Sequence, residues 1–236
     1  MYGRLESQGG TAMTSLLARA ALILAGLALL PSCTWSGGDI GDPVERKLHW
    51  FSFVGGDDIR TTCAAGTPDR FRLVYNADYN EQLRIYEVDS LRRLLTIRVV
   101  NQGAMGKLSG DDLLAPWRAT EAKVQLDQDG YDRLIQGFAQ GGMFAPPPVG
   151  LELPSRSFFW TAAMCRDGRF GLTAWKYPSV SFAAMGFDVQ LFALDTTGIE
   201  INPARELPVD PVWNDKASRL EVPNFSLKVT ADGLLQ

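Results

Sequence analysis

The chain has 236 residues, with 23 Lys and Arg against 27 Asp and Glu and a formal net charge of −4. That balance leaves no electrostatic footprint for nucleic acid, and no nucleic-acid partner is expected. A hydrophobic share of 46% is too high for a disordered chain, and the length suffices for one domain with a real core.

Residues Ala20 to Leu30 (AALILAGLALL) form an unbroken apolar run preceded by Arg19. A bilayer-spanning helix needs about 20 apolar residues, so this run is short for a span. A basic start, a brief apolar stretch and small residues near a cleavage point describe an export signal. Met13 sits where such a signal starts, and residues 1–12 (MYGRLESQGGTA) are polar and Gly-containing. Translation is therefore expected to begin at Met13. The run closes with Leu30-Pro31-Ser32-Cys33, which resembles the lipobox of bacterial lipoproteins: a Leu, small residues and a Cys. Pro31 departs from the small residue usual before Ser32. The resemblance implies that residues 1–32 are a signal peptide and that Cys33 is acylated with diacylglycerol as the new N-terminus. It also implies that the protein faces the periplasm, held in the membrane by lipid. Thr34 rather than Asp follows Cys33, which by the same resemblance favours the outer membrane over the inner. An ordinary export signal with a coincidental Cys is the alternative. The resemblance covers the signal alone; the body resembles no family by its motifs.

Removal of residues 1–32 leaves 21 basic and 26 acidic residues, a net of −5. It also leaves Cys63 and Cys165. In an oxidising compartment an even pair reads most simply as a disulfide. Neither cysteine lies in a CxxC arrangement, so a redox or metal pair is the lesser alternative. Residues 33–45 are Gly- and Asp-rich and read as a flexible tether, followed by a single globular domain over 46–236.

Within that domain Lys47–Val54 is aromatic and β-branched and reads as a strand. Ile59–Ala65, opened by Asp58 and closed by Gly66, reads as a short helix carrying Cys63. Alternation then marks three strands: Phe71, Leu73 and Tyr75 share one face, then Leu83 and Ile85, then Leu95, Ile97 and Val99. Asn76-Ala77-Asp78 suits a hairpin turn. After a Gly-containing connection, Glu121–Leu126 is a further strand. From Asp127 to Gln140 the period changes, with Tyr131, Leu134, Ile135 and Phe138 on one helical stripe. Asp127 or Asp129 can cap its start, and Gly141-Gly142 can end it. Pro146-Pro147-Pro148 marks a stiff loop.

The hairpin Phe158–Tyr177 turns at Asp167-Gly168, a type I′ signal. This turn predicts that Trp160 faces Trp175 and Phe158 faces Tyr177, with Cys165 against Phe170 and Ala163 against Leu172 on the other side. Both sides are apolar, so both are expected to be covered. Pro203, Pro208, Pro211 and Pro223 make the C-terminal third irregular, with a last strand at Phe225–Thr230. The fold class expected is α+β: a mostly antiparallel sheet, one packed amphipathic helix and an irregular C-terminal segment.

Chemistry is constrained mainly by what is missing. His49 is the single histidine, and any Ser–His–Asp or Cys–His site would have to pass through it. No GxSxG elbow accompanies it, and beside Trp50 it reads as a strand-face residue. No local Cys, His and carboxylate cluster suits zinc. Met105, Met143, Met164 and Met185 lie scattered in apolar runs and read as core. There is no Walker loop, no GxGxxG and no CxxCH. No catalytic residue, metal or cofactor is therefore assigned.

One constellation stands out. If Phe71, Leu83 and Leu95 mark inward faces, the outward faces carry Arg70 and Arg72, Arg84 and Tyr86, and Arg98. Like charges side by side need acids or a ligand to offset them, and guanidinium forks suit carboxylate or phosphate. Arg72, Arg84, Tyr86 and Arg98 are thus the candidate binding face. A solvated outer face balanced by Asp69, Asp78 and Glu81 is the plain alternative. The aromatic rank Phe158, Trp160, Trp175 and Tyr177 is a platform for sugar or partner, or packs beneath the 127–140 helix; packing is favoured because large aromatics dominate cores. The expected function is a lipid-anchored envelope protein, a non-catalytic accessory or scaffold subunit meeting a protein partner at the membrane. The alternatives are a binding protein for a small anion or sugar, and an enzyme using carboxylates.

Overall fold

The computed structural model describes residues 34–101, 112–207 and 224–235. The apolar run, the lipobox, Met105, Pro208, Pro211 and Pro223 lie outside the described residues.

The first element is a helix, α1 (Pro43–Gly55), where the sequence suggests a tether running into a strand. Asp42 caps it: its carboxylate accepts from the N–H of Val44 at 2.8 Å and of Glu45 at 3.3 Å, and Pro43 sits in the first turn. Its inward stripe is Arg46, Trp50, Phe53 and Val54, a helical spacing disguised because one member is an arginine. Gly56, in the left-handed conformation at φ 71°, ends α1 and starts α2 (Asp57–Thr62). A Cβ there would stand 2.4 Å from the Ala163 Cβ. The preceding stretch is no loose tether either. Trp35 and Ile40 are buried, because the chain folds back along α1 and lays both side chains on the core.

Strands β1 (Arg70–Ala77), β2 (Gln82–Asp89), β3 (Leu94–Asn101), β4 (Thr120–Gln125), β6 (Phe158–Arg166) and β7 (Arg169–Lys176) form one sheet. Its order is β4-β3-β2-β1-β6-β7, and every neighbouring pair is antiparallel. A smaller sheet joins β5 (Glu152–Pro154), β8 (Ser226–Val229) and β9 (Leu234–Leu235) in the order β5-β8-β9. The α+β class with a mostly antiparallel sheet is what the structure has.

Both faces of the large sheet are covered. On one lie α3 (Gln128–Gln140), α4 (Val180–Ala184) and α5 (Phe187–Leu194), which bring Leu134, Phe138, Phe182, Phe187 and Leu191 against Phe71, Leu73, Tyr86, Ile97 and Trp160. On the other, α1 and the small sheet bring Trp50, Phe53, Leu153 and Leu227 against Val74, Ile85 and Phe159. Helix α3 starts as expected, with the Asp127 carboxylate accepting from the Gly130 N–H at 2.7 Å. Helices α4 and α5 occupy part of the C-terminal third, where the prolines suggest irregular chain.

The hairpin β6–β7 has the expected register: Trp160 opposite Trp175, Ala163 opposite Leu172 and Cys165 opposite Phe170. The Tyr177 N–H continues it to the Phe158 carbonyl at 2.9 Å. At the turn Asp167 and Gly168 have φ of 49° and 69°. A Cβ on Gly168 would lie 2.6 Å from the Ala65 nitrogen, so the turn needs glycine for both conformation and space. Cys63, at the end of α2, forms a disulfide with Cys165 of β6 across 102 residues of chain. It staples the α2 turn to the sheet.

The expected faces of β2 are exchanged. Leu73 pairs with Tyr86 and Val74 with Ile85, so Leu83 and Ile85 lie on the α1 side, away from Phe71 and Leu73. With both faces buried, alternation marks a strand without telling which layer covers which side.

Candidate functional site

The expected arginine face does not exist as one surface. Arg72 and Arg98 lie on the α1 side of the sheet, Arg84 and Tyr86 on the α5 side, and Arg72 and Arg84 are 1% and 0% exposed. Each is engaged internally. Arg72 donates through Nη1 to the Phe53 carbonyl at 2.8 Å and to Asp58 Oδ1 at 2.7 Å. Its Nη2 reaches Asp58 Oδ2 at 2.9 Å and its Nε reaches Glu87 Oε1 at 3.0 Å. The guanidinium also lies 3.7 Å from the Phe53 ring centroid and 4.8 Å from that of Trp35. Arg98 joins the same network through Glu87 at 2.6 Å and Glu121 at 2.8 Å.

Arg84 performs the corresponding task on the other face. It pairs with Asp195 and donates from Nε to Gln82 Oε1 at 2.8 Å. Its Nη2 reaches the carbonyls of Ile199 at 2.6 Å and Glu200 at 2.7 Å. The Tyr86 hydroxyl donates to Asp195 Oδ2 at 3.0 Å. Burial, reinforced by the Asp195 charge, pushes the Tyr86 phenol well above its ordinary pKa. These groups hold the 195–200 segment down on the sheet. Buried guanidinium groups such as Arg72 and Arg84, whose hydrogens go largely to internal oxygens, present no fork to an outside anion.

The aromatic rank resolves as core. Trp160 and Trp175 pack on Phe187 with ring centroids 5.5 and 4.9 Å apart, and Trp175 Nε1 donates to the Gly141 carbonyl at 3.1 Å. The cover is thus mainly α5 rather than α3. His49 lies on α1, not on a strand, with Nε2 3.7 Å from Glu45 Oε2 one turn away.

Among the described residues three carboxylates have clearly displaced pKa values, all downward. For Glu121, burial pushes upward but the hydrogen bond from Lys123 and the charge of Arg98 outweigh it. Burial is likewise overcome at Asp42 by the Val44 and Glu45 N–H groups with Arg118, and at Asp89 mainly by Arg92. A general acid poised near neutrality requires the opposite displacement. Among the described residues no group of three or more His, Cys, Asp and Glu is placed to hold a metal.

An accessible concavity lies elsewhere. A pocket of about 580 Å³ opens between α1, the β1–β2 turn, the end of β3, the turn at Ala115–Trp117 and Phe225. Its walls are mostly apolar, with five aromatic rings among them: Trp50, Phe51, Tyr79, Trp117 and Phe225. Tyr79 stands edge-on to Trp50 at 5.5 Å and to Phe225 at 5.0 Å, and Phe51 to Phe225 at 5.1 Å. Lys47, Asn80 and Asn101 supply polar groups at the same walls. Arg46 is buried behind them and ties the pocket together, donating to the carbonyls of Gly41 at 3.1 Å and Trp117 at 2.9 Å. Burial pushes the Tyr79 phenol upward, partly offset by the Arg46 charge. The size and apolar lining suit a small amphipathic ligand or an inserted side chain.

None of these pocket residues is marked as a site by the sequence. Trp50 and Phe51 belong to the misread strand, and the walls come from segments far apart in the chain. The one legible signal is Asp42-Pro43 with Glu45, a helix-start pattern that would have placed Trp50 and Phe51 on a helix. No protein-family model matches the chain, and no curated protein is significantly similar to it. No helix of the described residues is long and apolar enough to cross a membrane.

Proposed function

We propose that the chain is a lipid-anchored protein of the bacterial envelope, held through Cys33, that acts without catalysis as an accessory subunit. The observation that carries the reading is a division of labour among the side chains. The charged groups that chemistry would draw on, Arg72, Arg84, Arg98, Asp58, Glu87 and Asp195, neutralise one another inside the domain. Among the accessible concavities, one is a pocket lined by aromatic rings with polar groups at its walls, suited to binding rather than bond breaking. The Cys63–Cys165 disulfide supports the compartment, since such bonds persist where thiols are oxidised. The lipobox-like Leu30-Pro31-Ser32-Cys33 supports the anchor.

Isolation of the native protein from detergent-solubilised membranes tests the role. The expected result is a stoichiometric protein partner that is lost on Trp117→Ala, with palmitate label present on the chain and absent from Cys33→Ala. Recovery of the protein alone, in a form indifferent to Trp117→Ala, would overturn the accessory role. A second reading, a sugar-binding lipoprotein, draws on the same aromatic walls with Asn101 beside them; quenching of pocket tryptophan emission by neutral oligosaccharides would select it. The anion version loses its basis, because Arg72 and Arg84 are internal.

A further inference from the structure

Helix α1 is apolar on two sides. Opposite its core stripe it exposes Val44, Leu48 and Phe51, spaced i, i+4, i+7 on a single outward line. Leu48 is 61% exposed. An outer helix face is ordinarily polar, and isolated exposed leucines need no explanation, but a continuous stripe does. Exposed Trp117 and Leu114 lie on the segment bound to the start of α1 by Arg46, by the Ala119 N–H to the Gly41 carbonyl at 2.9 Å and by Arg118 to Asp42 at 2.7 Å. Exposed Lys47 sits in the helix beside Leu48.

The chain enters the domain next to this stripe. Trp35 is 8% exposed, stands edge-on to Phe53 at 4.9 Å, and donates its backbone N–H to Ser52 Oγ at 2.8 Å. Ser52 is one turn beyond Leu48, on the adjacent line of the helix. Only Thr34 separates Trp35 from Cys33. Two extended residue steps reach about 7 Å, no more than the roughly 5–10 Å to which an interfacial helix face sinks into a bilayer.

We propose that the Val44–Leu48–Phe51 stripe of α1, with Lys47 beside it, seats on the lipid surface into which the Cys33 acyl chains insert. The proposal rests on acylation of Cys33. A leash this short does not let the domain swing clear, so the face beside its attachment meets the headgroups. Apolar side chains enter the acyl boundary there while Lys47 extends its ammonium to anionic phosphates, and Trp117 is of the type that favours this interface. The pocket shares Phe51 and Trp117 with this face and therefore opens at membrane level.

The test uses the mature protein, made from the full chain and reconstituted into phosphatidylethanolamine–phosphatidylglycerol vesicles with brominated acyl chains. Leu48→Trp is compared with Val180→Trp, an exposed position on α4 across the sheet. The emission added by Leu48→Trp is expected to be quenched by most of its intensity and that of Val180→Trp to be unaffected. Slower hydrogen exchange at α1 on reconstitution of the unsubstituted protein is expected as well. Intact mass on the same sample reports the diacylglycerol. Acyl mass present with both tryptophans equally unquenched overturns the seating while leaving the anchor intact. Acyl mass absent overturns the anchor, and the seating with it. A photo-crosslinker at position 48 that captures a protein in native membranes, with no quenching in vesicles, assigns the stripe to a protein partner and also overturns the proposal.

Discussion

Replacement of Asp195 by alanine tests the reading of Arg84 as an internal clamp. Asp195 has a side chain 3% exposed and Arg84 one that is fully buried, so Asp195→Ala strands a guanidinium charge in the interior and removes the acceptor of the Tyr86 hydroxyl. Breaking a buried pair from one side costs about 3–5 kcal/mol, against a total stability of roughly 5–15 kcal/mol for a domain. With about 2–4 °C per kcal/mol for a chain of this size, the thermal midpoint falls by about 6–20 °C. The 195–202 amides, held by Arg84 at Ile199 and Glu200, exchange faster with solvent. Arg84→Met in the Asp195→Ala background removes the stranded charge and restores part of the loss. Restoration is incomplete because the Ile199 and Glu200 carbonyls lose donors worth about 1 kcal/mol each. The assay is urea unfolding followed by circular dichroism with the disulfide intact, and exposed Asp129→Ala gives the surface reference, within about 0.5 kcal/mol of wild type. If Asp195→Ala unfolds with Asp129→Ala, or the double substitution is as unstable as the single one, the clamp is refuted.

Gly168→Ala forces a side chain into a left-handed turn and against the Ala64–Ala65 backbone; a loss of about 1–3 kcal/mol is expected from the unfolding midpoint, and a change of only a few tenths would deny the close approach. Asp42→Ala removes the α1 cap and is expected to cost about 1 kcal/mol. Because the folded pKa of Asp42 lies below its ordinary 3.8, its contribution is complete above that value and disappears as the pH falls through the lowered one. The gap between wild type and Asp42→Ala should therefore narrow below pH 3.8, and a gap that stays constant through acid titration contradicts the cap.

Much of the sheet is legible in the chain because its signals are local. Alternation at Phe71–Tyr75 and Leu95–Val99 marks strands, the Asp167-Gly168 turn sets the register of a whole hairpin, and Asp127 with the Tyr131–Phe138 stripe marks α3. Cys63 and Cys165 pair as two cysteines remaining after Cys33 would suggest. Where reading failed, a local pattern had two solutions or a side chain changed its role on burial. Arg46 counts as polar in a sequence, so the Arg46–Trp50–Phe53 stripe of α1 looked like a strand. Arg72 and Arg84 looked like an outer face because an arginine with no visible partner reads as solvated.

By itself, then, the sequence determined the strands of the large sheet, the hairpin register, the capped helix α3 and the disulfide partners, each from neighbours a few residues apart or from a count of cysteines. Only the tertiary structure decided which layer covers each side of β2, that Trp35 and Ile40 are core, and that Asp58 and Asp195 neutralise the buried arginines. It alone assembled Trp50, Tyr79, Trp117 and Phe225 into one pocket. The physical reason is common to all of these. A period and a turn are properties of a short segment, whereas burial, charge pairing and concavity depend on which distant segment lands opposite.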